Sequence, residues 1–258
     1  MTGARTSLFD CSFRAAGRTD AGKKRRDNQD EVLLLPELGF FAVSDGMGGL
    51  ENGRQASEHV VRSVGPLMGA AAREFAARGD PEAAGQSFLA SVRLMSDSLY
   101  EAGNTPSHFP FGATFVGVWL LRGRAIFCCL GDSRGYCLPR RKKNLRQITD
   151  DHNMASLLVK AGKLTKAQAK NHPSGSRLTA FVGMPPPATP EVFSVETRPG
   201  DRIMLCSDGL YGPLEEDEVA RALRSSRDPD RTCRRLVDMA NDKGGPDNIS
   251  VVHIAVAA

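Results

Sequence analysis

The order in which the sequence changes its periodicity constrains the fold more than any other feature. Strand-like apolar runs at 8–13, 31–35 and 40–44 come first, and two helical segments, 51–78 and 81–102, follow. Strand signals return at 113–121, 124–130, 135–138 and 145–149, which we interpret as a meander of hairpins, and again at 192–196, 202–206 and 249–256. No regular alternation of strand and crossover helix appears, so the pattern predicts an α+β sandwich of antiparallel sheets with helices on the outer faces.

Helical segments are also expected in two later parts of the sequence. Short helices are expected at 154–162 and 165–170, and longer ones at 215–225 and 230–242. The first long helix contains Pro66, which we expect to kink or divide it. The region that starts with "DDH" at 150–152 and continues to about residue 180 has few strand signals, and it is interpreted as a separate flap.

Length and composition favour one domain over residues 1–258. A chain of 258 residues with 41% hydrophobic side chains can bury one large core. The six cysteines form no Cys-x-x-Cys pair and mostly lie in apolar runs, as reduced thiols do, so a cytoplasmic location is expected. No apolar stretch is long enough to cross a membrane. The basic runs at 23–26 and 140–143 lack interleaved aromatic residues, so they are interpreted as solvated turns and no nucleic-acid partner is expected.

Five aspartates stand beside strand-like runs and next to small or turn-forming residues. Asp45 and Asp208 each end an apolar run in a Ser-Asp-Gly sequence; the others are Asp30, Asp132 and Asp247. Any one of them alone is more simply a turn or helix cap. Gathered at one sheet edge they would repel one another unless cations neutralised them, and oxygen ligands suit magnesium or manganese. Gly46 after Asp45 lets the backbone approach an ion and offers its carbonyl as a ligand.

Other chemistries fit the sequence less well. The five histidines are scattered without His-x-x-x-His spacing, which disfavours zinc. The "GMGG" run lacks the Gly-Lys-Ser/Thr of a phosphate loop, and no Gly-x-Ser-x-Gly elbow supports a catalytic triad. A site for hard metal ions with basic side chains nearby suits phosphoryl chemistry. The planar guanidinium of Arg25 could bind two phosphate oxygens at once.

Eight ordered motifs resemble those of the metal-dependent type 2C serine/threonine protein phosphatases in their bacterial form, and together they cover nearly the whole chain. They are "RRDNQD" (25–30), "AVSDGMGG" (42–49), "GATFVGV" (112–118), "GDSRGY" (131–136), "ITDDHN" (148–153), "SRLTAFVG" (176–183), "GDRIMLCSDGLYGPL" (200–214) and "GGPDNISVV" (244–252).

The resemblance implies a four-layer α-β-β-α sandwich with a binuclear Mn²⁺ or Mg²⁺ centre at one end. Asp45 resembles the carboxylate that bridges both ions, and Gly46 the carbonyl ligand. Asp208 and Asp247 resemble the carboxylates on the other metal. Asp30 resembles the residue that holds metal-bound waters.

Further roles follow from the same resemblance. Arg25 matches the phosphate-binding arginine, and Asp132 matches the aspartate that shares a weaker third ion with Asp208 in bacterial members. Residues from about 153 to 177 align with a flap that varies between members of the family.

The implied activity is hydrolysis of phosphoserine and phosphothreonine in proteins by a metal-activated water, without a phosphoenzyme. The implied partners are phosphorylated proteins and a cognate Ser/Thr kinase, and a monomer is expected because no sustained heptad pattern is present. In eukaryotic members a histidine is proposed as general acid. Here Met47 follows Asp45-Gly46 and no histidine has a matching context, so a water at the centre is the first candidate.

Two rival hypotheses stay open at this point. The first is an inactive relative that binds phosphoproteins or a partner without turnover, although no metal aspartate of the motifs is missing. The second is a regulatory phosphatase dedicated to one phosphorylated anti-sigma antagonist. Such enzymes usually carry sensor or coiled-coil regions before the catalytic domain, and this sequence has only a few residues before its first strand-like run.

Overall fold

A computed structural model describes residues 12–48, 50–103, 112–170 and 172–257, and it confirms the α+β class. The strands are β1 (Phe13–Asp20), β2 (Asp30–Leu35), β3 (Phe40–Met47), β4 (Gly112–Ala113), β5 (Phe115–Leu121), β6 (Arg124–Leu130), β7 (Arg134–Leu138), β8 (Arg146–Gln147), β9 (Glu191–Glu196), β10 (Arg202–Cys206) and β11 (Ile249–Val256). The helices are α1 (Leu50–Arg78), α2 (Pro81–Gly103), α3 (Met154–Lys160), α4 (Lys166–Ala169), α5 (Asp208–Tyr211), α6 (Glu216–Ser225) and α7 (Pro229–Asp242).

The strands form two antiparallel sheets. One has the order β1-β11-β10-β7-β8, and the other has the order β2-β3-β5-β6-β9, with β4 paired to β3. Because antiparallel neighbours run in opposite directions, the end of β10 lies beside the start of β11, with Cys206 opposite Val251. The end of β3 likewise lies beside the start of β2.

Three buried clusters show how the layers stack. The cluster between helices α1 and α2 and the second sheet includes Val60, Met68, Phe88, Met95 and Trp119. The cluster shared by strands of both sheets includes Phe41, Val116, Phe127, Leu205 and Ile254. The cluster between the first sheet and helices α6 and α7 includes Met204, Leu223, Leu236 and Val251. Three apolar interfaces define the four-layer sandwich, with about 1.5–3 kcal/mol from each large buried side chain.

The structure corrects two expectations from the sequence and shows a strand that the sequence did not predict. Pro66 does not divide α1, which continues from Leu50 to Arg78. Residues 8–11 of the first expected strand lie outside the described residues, and β1 starts at Phe13 and continues through the half-polar "RAAGRTD". The sequence from 113 to 149 is not a meander within one sheet, because the turn after Leu130 carries the chain from β6 in one sheet to β7 in the other.

The flap region forms the expected pair of short helices, α3 and α4, followed by a 3₁₀ turn at Pro173–Ser176. An antiparallel bridge between Asn153 and Leu178 closes its base. The Met154 N–H also donates to the Arg177 carbonyl over 2.9 Å. In the part of the chain that is described, no helix has the length and apolar character needed to cross a bilayer.

Candidate metal centre

Asp30 and Asp45 form one half of the candidate site. They face each other across the β2–β3 pair, which places their side chains on the same face of the sheet. Asp30 is buried, with 3% of its surface exposed, and Asp45 is half-buried. The hairpin that the sequence predicts is therefore what brings these two carboxylates together.

Asp208 and Asp247 form the other half of the site. Asp208 is the first residue of α5, directly after β10, and Asp247 lies two residues before β11. A Cβ atom on Gly209 would lie 1.9 Å from the Asn248 carbonyl oxygen, so only glycine permits this close approach of the two segments. The second Ser-Asp-Gly sequence thus uses its glycine to bring Asp208 beside Asp247.

Ser207 joins the two halves. Its hydroxyl donates to Asp30 Oδ2 over 2.7 Å and accepts from the Ser250 N–H over 3.0 Å. Asn248 adds a second connection, because its Oδ1 accepts from the Gln29 N–H over 2.9 Å. Polar side chains next to the aspartates therefore connect the two sheets at this end of the sandwich.

The backbone around Asp45 and Gly46 is tightly packed. The Asp45 N–H donates to Thr114 Oγ1 over 3.0 Å, and the Thr114 N–H donates to the Asp45 carbonyl over 2.8 Å. A Cβ on Gly46 would lie 1.9 Å from the Gly53 carbonyl oxygen of α1. Glycine is therefore required at 46 by the close approach of β3 to α1, a reason that the sequence did not suggest.

Asp132 reaches the same end of the molecule from the turn between β6 and β7. The neighbouring Ser133 hydroxyl lies 2.7 Å from Thr114 Oγ1, which ties this turn to the Asp45 backbone. The Tyr211 hydroxyl donates to the Asp132 carbonyl over 3.1 Å. Asp132 itself is 9% exposed, so its carboxylate is largely removed from water.

A half-buried arginine, Arg134, lies beside Asp132. Two guanidinium nitrogens of Arg134 donate to Asp151, the shortest contact being 2.6 Å from Nη2 to Oδ2. The guanidinium carbon lies 3.6 Å from the centre of the Tyr211 ring, within cation–π range. Because Asp151 already neutralises Arg134, this arginine offsets only part of the charge of the five aspartates.

The aspartates perturb one another electrostatically. Burial, with added repulsion from Asp208, raises the pKa of Asp30 and that of Asp132 to about 7 each. Burial and the charge of Asp247 raise the pKa of Asp208 to about 6. Burial first, and then the charges of the other four carboxylates, raise the pKa of Asp45 well above its ordinary value. Such a group is costly to ionise without a compensating cation.

The donor set fits hard divalent ions. Asp30 Oδ1 and Asp208 Oδ1 are buried without a hydrogen-bond partner, which is the state of an oxygen that an ion would satisfy. Every donor is a carboxylate or carbonyl oxygen, the type that Mn²⁺ and Mg²⁺ prefer. In the described residues, however, no three acidic, histidine or cysteine side chains already converge as one ligand group. The carboxylates are thus neighbours that repel one another without forming a ready-made ligand group among the described residues.

Arg25 lies at the exposed rim of the site. Its Nη2 donates to Asp247 Oδ2 over 2.7 Å, and both side chains remain accessible to water. This ion pair raises the pKa of Arg25 through the hydrogen bond to Asp247. The arginine therefore stays charged beside the carboxylates, where its remaining donors can meet a phosphate.

Three residues of the site were missed in the sequence. Ser207, Thr114 and Asn248 hold the aspartate segments, but their hydroxyl and amide groups are common in turns and carry no metal-ligand pattern. Ser207 and Asn248 each stand next to a predicted metal ligand in the sequence, and this position was the feature that could have identified them. Thr114 interrupts the apolar run from 113 to 121, and a polar residue in a buried strand was its signal.

Comparison with known proteins agrees with this geometry. A family model described as protein phosphatase 2C matches residues 19–249. The serine/threonine protein phosphatase PstP of Mycobacterium tuberculosis is 32% identical over 250 residues, covering 93% of this chain and 44% of that protein. The serine/threonine phosphatase stp of Listeria monocytogenes is 30% identical over 239 residues, covering 91% of this chain and 92% of that protein.

Solved structures show the same fold. The PPM Ser-Thr phosphatase MsPP from Mycobacterium smegmatis, in complex with cacodylate, is 33% identical with a TM-score of 0.79, over 95% of this chain and 98% of that chain. The catalytic domain of PstP in complex with two manganese ions is 27% identical with a TM-score of 0.75, over 95% and 99% of the two chains. The chain described here belongs to the protein phosphatase 2C family, the metal-dependent phosphatases abbreviated PPM.

Proposed function

We propose that this chain is a Mn²⁺- or Mg²⁺-dependent phosphatase that hydrolyses phosphoserine and phosphothreonine in proteins. The observation that carries the proposal is that Asp30, Asp45, Asp132, Asp208 and Asp247, from five separate segments, lie near enough for their charges to act on one another. Family membership and the manganese complex of PstP support the same activity.

Asp45 and Gly46, with Asp208 and Asp247, would hold two divalent ions, and Asp30 would hold water at them. Asp132 would share a weaker third ion with Asp208. When bound, the ions supply Lewis acidity, lower the pKa of water and clamp phosphate oxygens.

The remaining steps belong to the side chains. Arg25 would bind and orient the phosphate, and its fixed charge would stabilise the equatorial oxygens as negative charge develops. Ser207 would keep Asp30 in place through its 2.7 Å hydrogen bond, so that this carboxylate aligns a water for direct attack on phosphorus. Because water, and not a side chain, would attack phosphorus, the reaction would form no phosphoenzyme.

The test is hydrolysis of p-nitrophenyl phosphate and of a phosphothreonine peptide with Mn²⁺, with Mg²⁺ and with excess chelator. We expect turnover with either ion, none with chelator, and recovery on adding Mn²⁺ back. The Asp45→Ala/Asp208→Ala double variant is the matched inactive control. Equal turnover by this variant, or turnover that survives the chelator, would contradict the proposal.

We further propose that the protein acts as a monomer in the cytoplasm and opposes a Ser/Thr kinase. The five described cysteines are buried and unpaired, as expected of a reducing compartment. Cys11 lies outside the described residues. Incubating the protein with kinase-phosphorylated cell proteins should reverse a broad set of phosphorylations, whereas an enzyme dedicated to one antagonist protein would remove one.

The hypothesis of an inactive binding relative is disfavoured by the site itself. All five aspartates are present, and two of their oxygens lack a partner within the described structure. A binding-only protein would not need carboxylates that are so costly to ionise.

A further inference from the structure

A second charged surface lies away from the candidate metal centre. The loop between β7 and β8 and one face of α6 border an open groove of about 570 Å³. Its lining, called here the basic groove, consists of Arg140, Arg141, Lys142, Lys143, Asn144, Asp217, Arg221 and Arg224. Six cations against one carboxylate leave a net charge of +5 on this surface, beside a net charge of +4 for the entire chain.

The loop of the basic groove is held in a fixed shape. The Arg140 N–H donates to the buried Asp201 Oδ1 over 2.8 Å, and the Lys142 N–H donates to the Pro139 carbonyl over 3.0 Å. The Arg224 guanidinium donates to the Lys142 carbonyl over 2.7 Å and also to the Lys143 carbonyl. These contacts order the backbone before any ligand arrives, which lowers the entropic cost of binding.

The cations themselves are available to a ligand. Arg141, Lys142, Lys143 and Arg221 are exposed, and none of them belongs to an ion pair among the described residues. Other exposed cations, such as Lys243 with Glu218, are neutralised by a partner. A cluster of unneutralised charge in one concave surface is a local site of positive potential that attracts an anionic partner.

The basic groove and the candidate metal centre lie at opposite ends of β7. Arg134, beside Asp132, begins the strand, and Leu138 ends it just before the basic loop. Five residues of strand span roughly 16 Å. A ligand in the basic groove therefore leaves the metal centre free, and one extended peptide needs at least roughly five residues to reach from one to the other.

We propose that the basic groove docks an acidic segment of the protein substrate, remote from the phosphorylated residue that enters the metal centre. This inference rests on the proposed function, and it names the substrate class as phosphoproteins with a run of Asp or Glu near the phosphosite. The lining includes no aromatic side chain on which bases stack and no apolar side chain that enters a bilayer, so an acidic peptide fits better than single-stranded nucleic acid or a membrane.

The first experiment compares two phosphothreonine peptides that differ in one segment. Both carry the same phosphosite and an eight-residue spacer, followed by six Glu residues in one peptide and six Gln residues in the other. Three or four exposed ion pairs acting together support roughly a tenfold lower KM for the Glu peptide, with kcat unchanged. The difference should shrink as KCl is added.

The variant Arg141→Glu/Lys143→Glu/Arg221→Glu removes the docking charge while keeping Arg224, which holds the loop. The control Arg73→Glu/Arg231→Glu/Arg235→Glu makes the same change in net charge at exposed positions outside the groove. We expect the groove variant to lose the tenfold preference and the control to keep it, with p-nitrophenyl phosphate hydrolysis equal in all three proteins. A preference that survives in the groove variant, or is absent from the wild type, would overturn the proposal.

Direct binding separates this inference from the proposed function. Fluorescence anisotropy of a labelled, unphosphorylated Glu₆ peptide requires no catalysis, so it reports docking even if the protein hydrolyses nothing. Groove-dependent binding of this peptide supports the proposal. Tighter groove-dependent binding of a dT₂₀ strand, or of phosphatidylserine vesicles, would overturn the choice of an acidic protein segment.

Discussion

At the residue scale, the two Ser-Asp-Gly sequences differ in what their serines do. The Ser44 hydroxyl donates to the Thr114 carbonyl over 2.8 Å, a buried contact that holds β3 in place. The Ser207 hydroxyl donates to a carboxylate of the candidate centre and accepts from β11. The same three letters therefore serve packing in one place and the organisation of the site in the other.

Replacing Ser207 by alanine should impair both stability and activity. We expect a loss of about 1–3 kcal/mol in the free energy of unfolding, since Asp30 loses a charge-assisted hydrogen bond, and a fall in kcat/KM on the order of tenfold because Asp30 is no longer held. Chemical denaturation and peptide hydrolysis measure the two effects.

The matched control is Ser44→Ala, which removes a hydrogen bond to a neutral carbonyl. Its expected cost is about 0.5–1.5 kcal/mol in the free energy of unfolding, with kcat/KM within about threefold of the wild type. Equal losses of activity in the two variants would contradict a specific role for Ser207.

At the scale of elements, the site depends on how closely α5 approaches the start of β11. Gly209 lies in α5 and has no room for a Cβ beside Asn248, so it is a packing glycine and not a simple turn residue. The sequence marked the position through its Ser-Asp-Gly pattern, but the close contact between residues about 40 apart in sequence depends on the tertiary fold. Such approaches are visible only once the sheets are assembled.

The Gly209→Ala variant should separate Asp208 from Asp247. The added methyl would displace backbone, so we expect a loss of about 1–3 kcal/mol in stability and a large loss of metal-dependent hydrolysis. Gly65→Ala in α1 is the control, because its nearest neighbour would be a Leu35 methyl at 3.6 Å. That variant should be neutral or about 0.5–1 kcal/mol more stable. A fully active Gly209→Ala protein would show that the approach is dispensable.

At the scale of the whole molecule, periodicity predicted most elements, and motif order predicted the family. The long helices, the β2–β3 hairpin and the C-terminal strand followed from local apolar patterns. The change of sheet after Leu130 was not predicted, because "GDSRG" reads as an ordinary hairpin turn and only packing of the two sheets shows where the chain crosses. Strand β1 was missed because its half-polar sequence at a sheet edge has a weak apolar alternation.

Protonation of buried His253 should subtract from global stability at acidic pH, opposite in sign to the contribution of the aspartates with raised pKa values. This histidine is buried in β11, and neither ring nitrogen has a hydrogen-bond partner among the described residues. Burial, together with the charge of Arg202, lowers the pKa of His253 to about 3. The backbone at Pro229 acts in the opposite direction. Because the unfolded chain binds this proton more readily, the contribution of His253 to stability is full above the ordinary pKa of 6.5 and is lost as pH falls below it. The loss expected from His253 alone at pH 5 is about 2 kcal/mol.

Denaturation of the wild type and of His253→Leu at pH 8 and pH 5 isolates this effect, since the aspartates with raised pKa values are common to both proteins. Between pH 8 and pH 5 the change in the free energy of unfolding should be about 2 kcal/mol more favourable in the variant than in the wild type. Equal changes in the two proteins would show that His253 does not contribute to the acid response.

Equilibrium binding of Mn²⁺, measured by electron paramagnetic resonance of the free ion, tests whether aspartates from distant segments jointly hold divalent metal. We predict two tightly held ions in the wild type and, for Asp208→Asn, roughly 100-fold weaker binding of at least one of them. Asp238→Asn, an exposed change on α7, should bind like the wild type. Absence of Mn²⁺ binding by the wild type, or unchanged binding by Asp208→Asn, would contradict the account.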